Sequence, residues 1–335
     1  MIFLKKFIAA GFLSAVTGVF LCGCVSGTHK VPSVPETDWT VTTIPAAEKT
    51  TVSSGKLVEP QTGVFIYDKA STLTNTEYSE CNEYAEMLYS KYLLNTAVVI
   101  TNDLEGMKPE AYAAEVYNDI YGGMGSGLVF LVNNDTHDDI LYKTGQCQRF
   151  IDEVSERDEL YHATKELVVE NYKDAILIML KLGEKCPTNV IDNSNLFDED
   201  MAQEFSGSLA GCPNSVTLVA TDNKSGVSND ELIKTYYERR YTDETGYIVL
   251  MDKNTRSVTA MTQGELPAEV AEFITAADQT AANNDFIGAA NRIVAGFGGA
   301  AMTIYDNDEE EMLYDETVPD DEIISDGEYY EDTEE

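Results

Sequence analysis

The chain has 335 residues, and 43% of them are hydrophobic, so it can form packed cores and has room for two ordinary domains. Its formal net charge is −37 at pH 7, which argues against nucleic acid as a partner and against charge-driven docking on anionic lipid.

The first 24 residues have the pattern of a lipoprotein signal peptide. Lys5 and Lys6 precede the apolar run FIAAGFLSAVTGVFL, which at about 15 residues is shorter than the roughly 20 that a membrane-spanning helix needs. The following LCGC resembles a bacterial lipobox, which implies that Cys24 is lipidated (for example with palmitate) and becomes the mature N-terminus. Alternatives are a soluble secreted protein cut near Gly23 or Cys24, or a short uncleaved anchor. In each case the mature chain is expected to lie outside the cytoplasm, and lipidation predicts attachment to the bacterial cell membrane.

Two folded units follow a tether. Residues 25–62 are rich in Thr, Ser, Pro and Val and predict an extended disordered tether. In 63–186, short apolar runs alternate with helical patterns. Thr74 and Glu77 form a capping-box pattern, and Pro109 predicts the first turn of a second helix that Gly122 stops. The order of these runs predicts an α/β domain.

Residues 187–304 repeat the first unit. The segments VIDNSNLF, SVTLVATD and TGYIVLM match FIYDKASTLT, TAVVITND and SGLVFLV. The offset is about 120 residues where Gly106 matches Gly226 and Gly145 matches Gly264, and it is slightly shorter where Ala175 matches Ala289. Such constancy across strands and helices predicts a whole domain in tandem copies.

These segments resemble the TPM domain of thylakoid lumen and bacterial envelope proteins, and the resemblance covers most of residues 63–300. It implies two tandem three-layer α/β/α domains, each with a central four-stranded mixed sheet. Within the family some members bind Ca²⁺, some are reported as acid phosphatases, and several act in assembling or repairing membrane protein complexes.

The resemblance also selects candidate metal ligands. The family's aspartate at the end of the first strand is Asp68, and Asp192 in the second copy. Ca²⁺ takes six to eight oxygen ligands, so carboxylates after the second strand and before the third strand join the candidate set. The family often has Asp-Asn-Gly before the third strand. Copy one has Gly125-Ser126-Gly127 at this place and therefore lacks the carboxylate. The alternative is that these are solvated turn or cap residues. The full set of metal candidates is Asp68, Asp103, Asp192, Asp222, Asp243 and Glu244.

Signals for catalysis are weak, and no catalytic residue is predicted. His137 lies in a predicted hairpin turn and His162 in a predicted helix, where surface positions are the simpler interpretation. GGMGSG precedes a strand rather than a helix, so it predicts a flexible turn and not a phosphate-binding loop. Cys81, Cys147, Cys186 and Cys212 allow disulfides, such as a bond between Cys186 and Cys212, or remain unpaired thiols.

Two features could contact a partner. Arg239 and Arg240 lie in YYERRY, which has no basic counterpart in copy one, and the alternative is a solvated helix end. Residues 305–335 form an acidic, disordered tail with Tyr, Ile and Leu mixed in. The sequence thus predicts a membrane-anchored binding or scaffold protein with an unidentified envelope protein partner, and Ca²⁺ is the candidate modulator. The alternative is a metal-dependent acid phosphatase of low activity.

Overall fold

The structure is a computed structural model that describes residues 56–224, 226–242 and 244–302. The predicted signal peptide with Cys24, most of the predicted tether, Asp243 and the acidic tail lie outside the described residues. The described part belongs to one compact unit of the chain that begins at Ser54. Among the described residues, no helix is both long enough and apolar enough to cross a membrane. We call residues 56–186 the first repeat and 187–302 the second repeat.

The first repeat alternates strands and helices and ends in a helical segment. Its elements are β1 (Ile66–Asp68), α1 (Asn75–Lys91), β2 (Asn95–Thr101), α2 (Pro109–Tyr121), β3 (Gly127–Asn133), β4 (Ile140–Thr144), α3 (Gln146–Phe150), α4 (Glu153–Val168) and α5 (Tyr172–Lys181), followed by a 3₁₀ turn (Leu182–Lys185).

Among its described residues, the second repeat has the same order of elements without a counterpart of α3. Its elements are β5 (Val190–Asp192), α6 (Glu199–Ala210), β6 (Val216–Thr221), α7 (Asn229–Arg240), β7 (Tyr247–Asp252), β8 (Ser257–Met261), α8 (Ala268–Ala282) and α9 (Phe286–Gly296).

Each repeat builds a four-stranded mixed sheet, so the predicted fold class is confirmed. The strand orders are β1-β2-β3-β4 and β5-β6-β7-β8. In both sheets the first three strands are parallel and the fourth is antiparallel to the third. The register also repeats, because Asp68 pairs with Ile100 and Asp192 pairs with Ala220.

Local sequence signals explain the helix boundaries. The predicted capping box is present: the Thr74 side chain accepts from the Glu77 N–H, and the Glu77 carboxylate accepts from the Thr74 N–H. Pro109 is the first residue of α2, where its missing N–H costs no helical hydrogen bond. The left-handed Gly122 (φ 64°) ends the same helix. These three predictions from the sequence are confirmed.

Helices cover both faces of each sheet because successive side chains of a strand point to opposite faces. In the first repeat, Val98 and Ile100 belong to the core that contains α1, while Ala97 and Val99 belong to the core that contains α2. In the second repeat, Leu218 packs on the side of α6 and Val219 on the side of α7. The result is a three-layer arrangement in each repeat.

The repeats share apolar packing. One cluster of buried side chains extends from the first repeat into the second. Leu93, which follows α1, packs instead with Ile191, Val219 and Ile248 of the second repeat. Leu93 is 2% exposed and has a left-handed φ of 52°, a conformation that costs a non-glycine residue on the order of 1 kcal/mol. Its burial in the second repeat offsets that cost.

Residues assigned by sequence to the end of the tether pack on the first repeat. Leu57 and Val58 are buried against the core that contains α2. Both donate backbone hydrogen bonds to Asp119 Oδ2, at 2.6 and 3.3 Å. This short segment therefore belongs to the packed structure, since its apolar side chains join the core that contains α2.

Candidate functional site

Each sheet has, at the carboxyl ends of its first two strands, the topology at which open α/β sheets bind ligands. In the first repeat, β1 leads to α1 on one face of the sheet, and β2 leads to α2 on the opposite face. In the second repeat, β5 and β6 lead in the same way to α6 and α7. Ligands of open α/β sheets bind where neighbouring strands lead to opposite faces, because the diverging loops leave a crevice. Both repeats therefore contain a candidate position for a site.

In the first repeat, two predicted ligands lie at this edge and act as acceptors for nearby groups. Asp68 Oδ2 accepts from the Leu73 N–H at 2.8 Å, and its Oδ1 accepts from Thr72 Oγ1 at 3.3 Å. Asp103, which is exposed, accepts from the Glu105 N–H at 2.7 Å. Asp68 ends β1 and Asp103 follows the neighbouring parallel strand β2, so both lie at one edge of the sheet.

The matching Asp192 is fully buried, and both of its carboxylate oxygens already accept hydrogen bonds. Its Oδ1 accepts from the Ser194 N–H and hydroxyl and from the Leu196 N–H, at 3.0 to 3.2 Å. Its Oδ2 accepts from the Phe197 N–H at 3.0 Å and lies 3.2 Å from Arg149 Nη2. A carboxylate has about four lone-pair positions, so a cation could bind Asp192 only by displacing these donors.

The other predicted ligands of the second repeat do not meet. Asp222 follows β6 at the carboxyl edge and forms an ion pair with Lys224. Glu244 is exposed and precedes β7, so it lies at the opposite edge, about 20 Å away along a strand of this length. Asp243 is outside the described residues. Across the part of the chain that the structure describes, no three His, Cys, Asp or Glu side chains are arranged to hold a metal ion.

A cavity of about 430 Å³ occupies the carboxyl edge of the second sheet and is walled by the first repeat. The first repeat contributes the two loops that flank β3 and β4, and the second repeat contributes the β6–α7 loop, one face of α7 and the loop after β5. The lining residues are Gly123, Met124, Gly125, Thr144 and Gly145 from the first repeat, and Asn193, Thr221, Asp222, Asn223, Lys224, Val227, Leu232, Thr235 and Tyr236 from the second. We call this cavity the inter-repeat cleft.

Gly145 shows why glycine is needed in the wall of the cleft. Its φ is 57°, and a Cβ at this position would lie 2.8 Å from Ser126 Cα and 2.4 Å from Ser126 Oγ. Only glycine allows β4 to turn into α3 this close to the start of β3. The loops of the first repeat can thereby approach the second repeat with bare backbone.

A chain of hydrogen bonds connects the repeats along the cleft. Ser126 Oγ accepts from the Gln146 N–H at 2.8 Å and donates to Asn193 Oδ1 at 2.5 Å. Asn193 Nδ2 donates to the Tyr236 hydroxyl at 3.1 Å. Burial raises the pKa of Tyr236, so its hydroxyl stays protonated at neutral pH. These hydrogen bonds link the loop before β3, the loop after β5 and α7, which form three sides of the cleft.

Arg149 is a residue that sequence reasoning missed. It donates from Nη1 to Phe197 O at 2.7 Å and from Nη2 to Asp192 O at 2.9 Å, besides its ion pair with the Asp192 carboxylate. It comes from α3, which has no counterpart in the described part of the second repeat. The one available signal was that helix-like residues QCQRF are extra to the repeat pattern, and this gives no indication of a partner.

Arg239 and Arg240, predicted to bind a partner, contact the first repeat. Arg239 lies over the Tyr89 ring, with Cζ 3.5 Å from its centroid, and donates from Nη1 to Asn95 Oδ1 at 2.9 Å. Burial lowers the pKa of the Arg239 guanidinium, which is surrounded by tyrosine rings. Arg240 donates to the Lys91 carbonyl. Both arginines therefore join α7 to the C-terminal end of α1 and the start of β2.

Comparison with known families bears on the first repeat. Residues 66–182 match the TPM domain family. The TPM match begins at β1 and ends in the 3₁₀ turn before the second repeat, so the resemblance inferred from the sequence is confirmed for this part of the chain.

Two solved structures are similar over a part of the chain. One is the N-terminal domain of a protein from P. gingivalis, with 13% identity and a TM-score of 0.34, covering 37% of this chain and 82% of that one. The other is the N-terminal domain of a protein from Corynebacterium glutamicum, with 12% identity and a TM-score of 0.31, covering 44% of this chain and 89% of that one. No curated protein matches the sequence.

The TPM-matching repeat thus contributes backbone-rich loops to a cleft whose chemistry comes mainly from the second repeat. The side chains that line it are mostly neutral hydrogen-bonding groups, such as Thr144, Asn193 and Thr235, with apolar surface from Leu232 and Tyr236. No histidine or cysteine is among the described lining residues. Such a lining suits reversible binding of a group that offers both hydrogen bonds and apolar contact.

Proposed function

We propose that the protein is a binding module that recognises a peptide segment of a protein partner in the inter-repeat cleft. The observation that carries this proposal is the cavity of about 430 Å³ at the carboxyl edge of the second sheet, walled by the first repeat. A peptide supplies backbone donors and acceptors for the Thr and Asn side chains of the cleft, together with apolar side chains for Leu232 and Tyr236. Neither repeat has the complete cleft, which gives the second copy a role.

A variant with a large side chain inside the cleft tests this proposal. Thr235 and Lys234 are neighbouring exposed residues of α7, but only Thr235 lines the cleft. Peptides selected from a random library on the immobilised full chain are titrated calorimetrically into the wild type, Thr235→Trp and Lys234→Trp. We expect Thr235→Trp to weaken binding by about tenfold or more, the equivalent of 1.4 kcal/mol, while Lys234→Trp binds as the wild type does. Equal binding to both variants would place the peptide site elsewhere and reject the cleft.

The proposed location is the outer face of the bacterial membrane, with a lipid on Cys24. Support comes from the charged, apolar and LCGC segments of the N-terminus, which carry the pattern of a lipoprotein signal. Metabolic labelling with a palmitate analogue is expected to label the wild type and Cys22→Ser but not Cys24→Ser. Cys22 is the matched control because it lies two residues away in the same motif. Label retained in Cys24→Ser would exclude this anchor.

Modulation by Ca²⁺ is proposed for the first repeat, at the edge that Asp68 and Asp103 share. Asp192 is a poor candidate because five donors already contact its oxygens. Calorimetric titration of Ca²⁺ into the full chain is expected to give saturable heat that Asp68→Asn/Asp103→Asn removes. Glu244→Gln, at the other repeat's opposite edge, is the control for binding to the many exposed carboxylates. Loss of the same heat in both variants would identify it as nonspecific.

The alternative, a metal-dependent acid phosphatase, lacks a comparable supporting observation. Metal-assisted hydrolysis needs several convergent ligands beside the substrate. In the described residues the predicted carboxylates are spread over one edge of the first sheet and both edges of the second, and no group of three converges. The cleft is therefore proposed as a binding site.

A further inference from the structure

Two buried thiols face each other where the first repeat ends and the second begins. Cys147 lies in α3, and Cys186 follows the 3₁₀ turn just before β5. Their Sγ atoms are 3.7 Å apart, although the residues are 39 positions apart in sequence. The other two described cysteines are directed to backbone carbonyls: Cys81 Sγ lies 3.9 Å from Lys173 O, and Cys212 Sγ lies 3.5 Å from Ser208 O. The Cys186–Cys212 bond considered from the sequence is therefore not the pairing that the fold prepares.

We propose that Cys147 and Cys186 form an intramolecular disulfide when the chain folds in the presence of a disulfide donor. A disulfide requires the sulfur atoms to be about 2.05 Å apart, so its formation brings them about 1.7 Å closer than their present contact of 3.7 Å. Both sulfurs come from the same compact part of the chain, and no charged side chain separates them at a contact of 3.7 Å.

The reaction is thiol–disulfide exchange with a small-molecule or protein disulfide. The thiolate of one cysteine attacks the donor disulfide, forming a mixed disulfide and releasing one donor thiol. The second cysteine then attacks the mixed disulfide and releases the second donor thiol. The two cysteines lose two electrons and two protons, and the donor gains both as two thiols.

Burial decides when this exchange can take place. Cys147 is 0% exposed and Cys186 is 3% exposed. The hydrogen bond to Cys186 and burial raise the pKa of the Cys147 thiol well above its ordinary value. Since the thiolate is the nucleophile, the folded interior is closed to exchange in both directions. The bond therefore forms during folding and afterwards resists reductants.

This disulfide would constrain α3, the short helix through which Arg149 contacts the second repeat. We call this contact the joint. α3 also carries Arg149, whose guanidinium holds Asp192 and the Phe197 carbonyl of the second repeat. A covalent bond from the same short helix to Cys186, four residues before β5, would tie α3 to the segment that leads into the second repeat. The proposal does not depend on what the cleft binds.

Peptide mapping tests the bond directly on the full chain. The reduced, denatured protein is refolded either in a mixture of oxidised and reduced glutathione or in excess dithiothreitol. Free thiols are then alkylated in denaturant before proteolysis and mass spectrometry. We expect a linked Cys147–Cys186 peptide pair only after refolding with glutathione, with Cys81 and Cys212 alkylated. Alkylation of both Cys147 and Cys186 after oxidative refolding, or a Cys186–Cys212 pair, would overturn the proposal.

Thermal unfolding separates a structural bond from an incidental one. A loop of this size predicts that the oxidised wild type melts about 5–10 °C above the reduced wild type. Cys147→Ala/Cys186→Ala should show no difference between the two refolding conditions, whereas the control Cys81→Ala/Cys212→Ala should keep it. Identical melting temperatures of oxidised and reduced wild type would show that the bond does not stabilise the folded protein.

Discussion

Asp68 and Asp192 end the first strand of their repeats in the same register, yet their surroundings differ. Asp68 is half-buried and accepts from two groups within five residues of itself. Asp192 is fully buried and accepts from its own loop as well as from Arg149 of the other repeat. The same local motif thus stabilises only its own turn in the first repeat, whereas in the second repeat it also binds the first repeat through Arg149. A repeated sequence position does not by itself have a repeated role.

The largest expected effect comes from removing the charge of Asp192, and Asp68 is the matched comparison. Asp192→Asn leaves the Arg149 guanidinium without its counterion in a buried site, and we expect it to lower the free energy of unfolding by about 3–5 kcal/mol. Asp68→Asn weakens hydrogen bonds that solvent can partly replace, and about 1 kcal/mol is expected. Urea unfolding of both variants measures the difference. Equal losses would mean that Arg149 contributes little to the joint.

Leu93 tests whether the repeats depend on each other for their cores. Leu93→Ala removes a side chain that fills the α7 side of the second repeat, and we expect a loss of about 2–4 kcal/mol in the free energy of unfolding. Val168→Ala is the control, because Val168 is 78% exposed at the end of α4 and should change stability by less than about 0.5 kcal/mol. A small effect of Leu93→Ala would show that the second repeat closes its core without the first.

Arg239 tests a second contact between the repeats, where the C-terminal end of α7 meets the first repeat. Arg239→Lys loses the planar stacking on Tyr89 and the forked hydrogen bonding, and it should destabilise the protein by about 1–2 kcal/mol. Arg240→Lys is the matched substitution one residue away, and lysine can still reach the Lys91 carbonyl, so less than about 0.5 kcal/mol is expected. Thermal unfolding in parallel distinguishes them. Similar losses would mean that charge alone, and not the guanidinium plane, matters at both positions.

The smallest expected effect concerns Asp139, a carboxylate of the first repeat whose oxygen accepts from the Asn133 N–H at 2.9 Å. Burial raises the pKa of Asp139 above its unfolded value of 3.8. Because the folded state then holds the proton more tightly, this group favours folding most below pH 3.8, and its contribution falls as pH rises through the folded pKa. Asp139→Asn keeps an acceptor and should remove that decline. Unfolding free energies measured from pH 3 to 7 check it; an unchanged pH profile would contradict the assignment.

The sequence was sufficient for features that depend on neighbours along the chain. The Thr74 capping box, Pro109 at the first position of α2 and the Gly122 stop follow from backbone hydrogen bonding and steric limits within a few residues. The matched strands followed from the repeat offset, and the TPM match over residues 66–182 agrees with the motifs seen there.

The cleft was not predictable in the same way. GGMGSG was interpreted as a turn, and it is one, but its place as a wall depends on where the second repeat packs. Arg149 gave no local signal because its partners, Asp192 and Phe197, are more than 40 residues away in the chain. Arg239 suggested an external partner, since the sequence could not show that Tyr89 and Asn95 lie beside it.

The sequence by itself determined the type and order of the elements, because hydrophobic period, caps and turns act over one or two helical turns. Only the tertiary structure decided which of two equivalent aspartates is buried with an arginine, which loops enclose a cavity and which cysteines meet. These outcomes depend on the contact between the two repeats, and that contact is made by side chains from distant parts of the chain that share no local pattern.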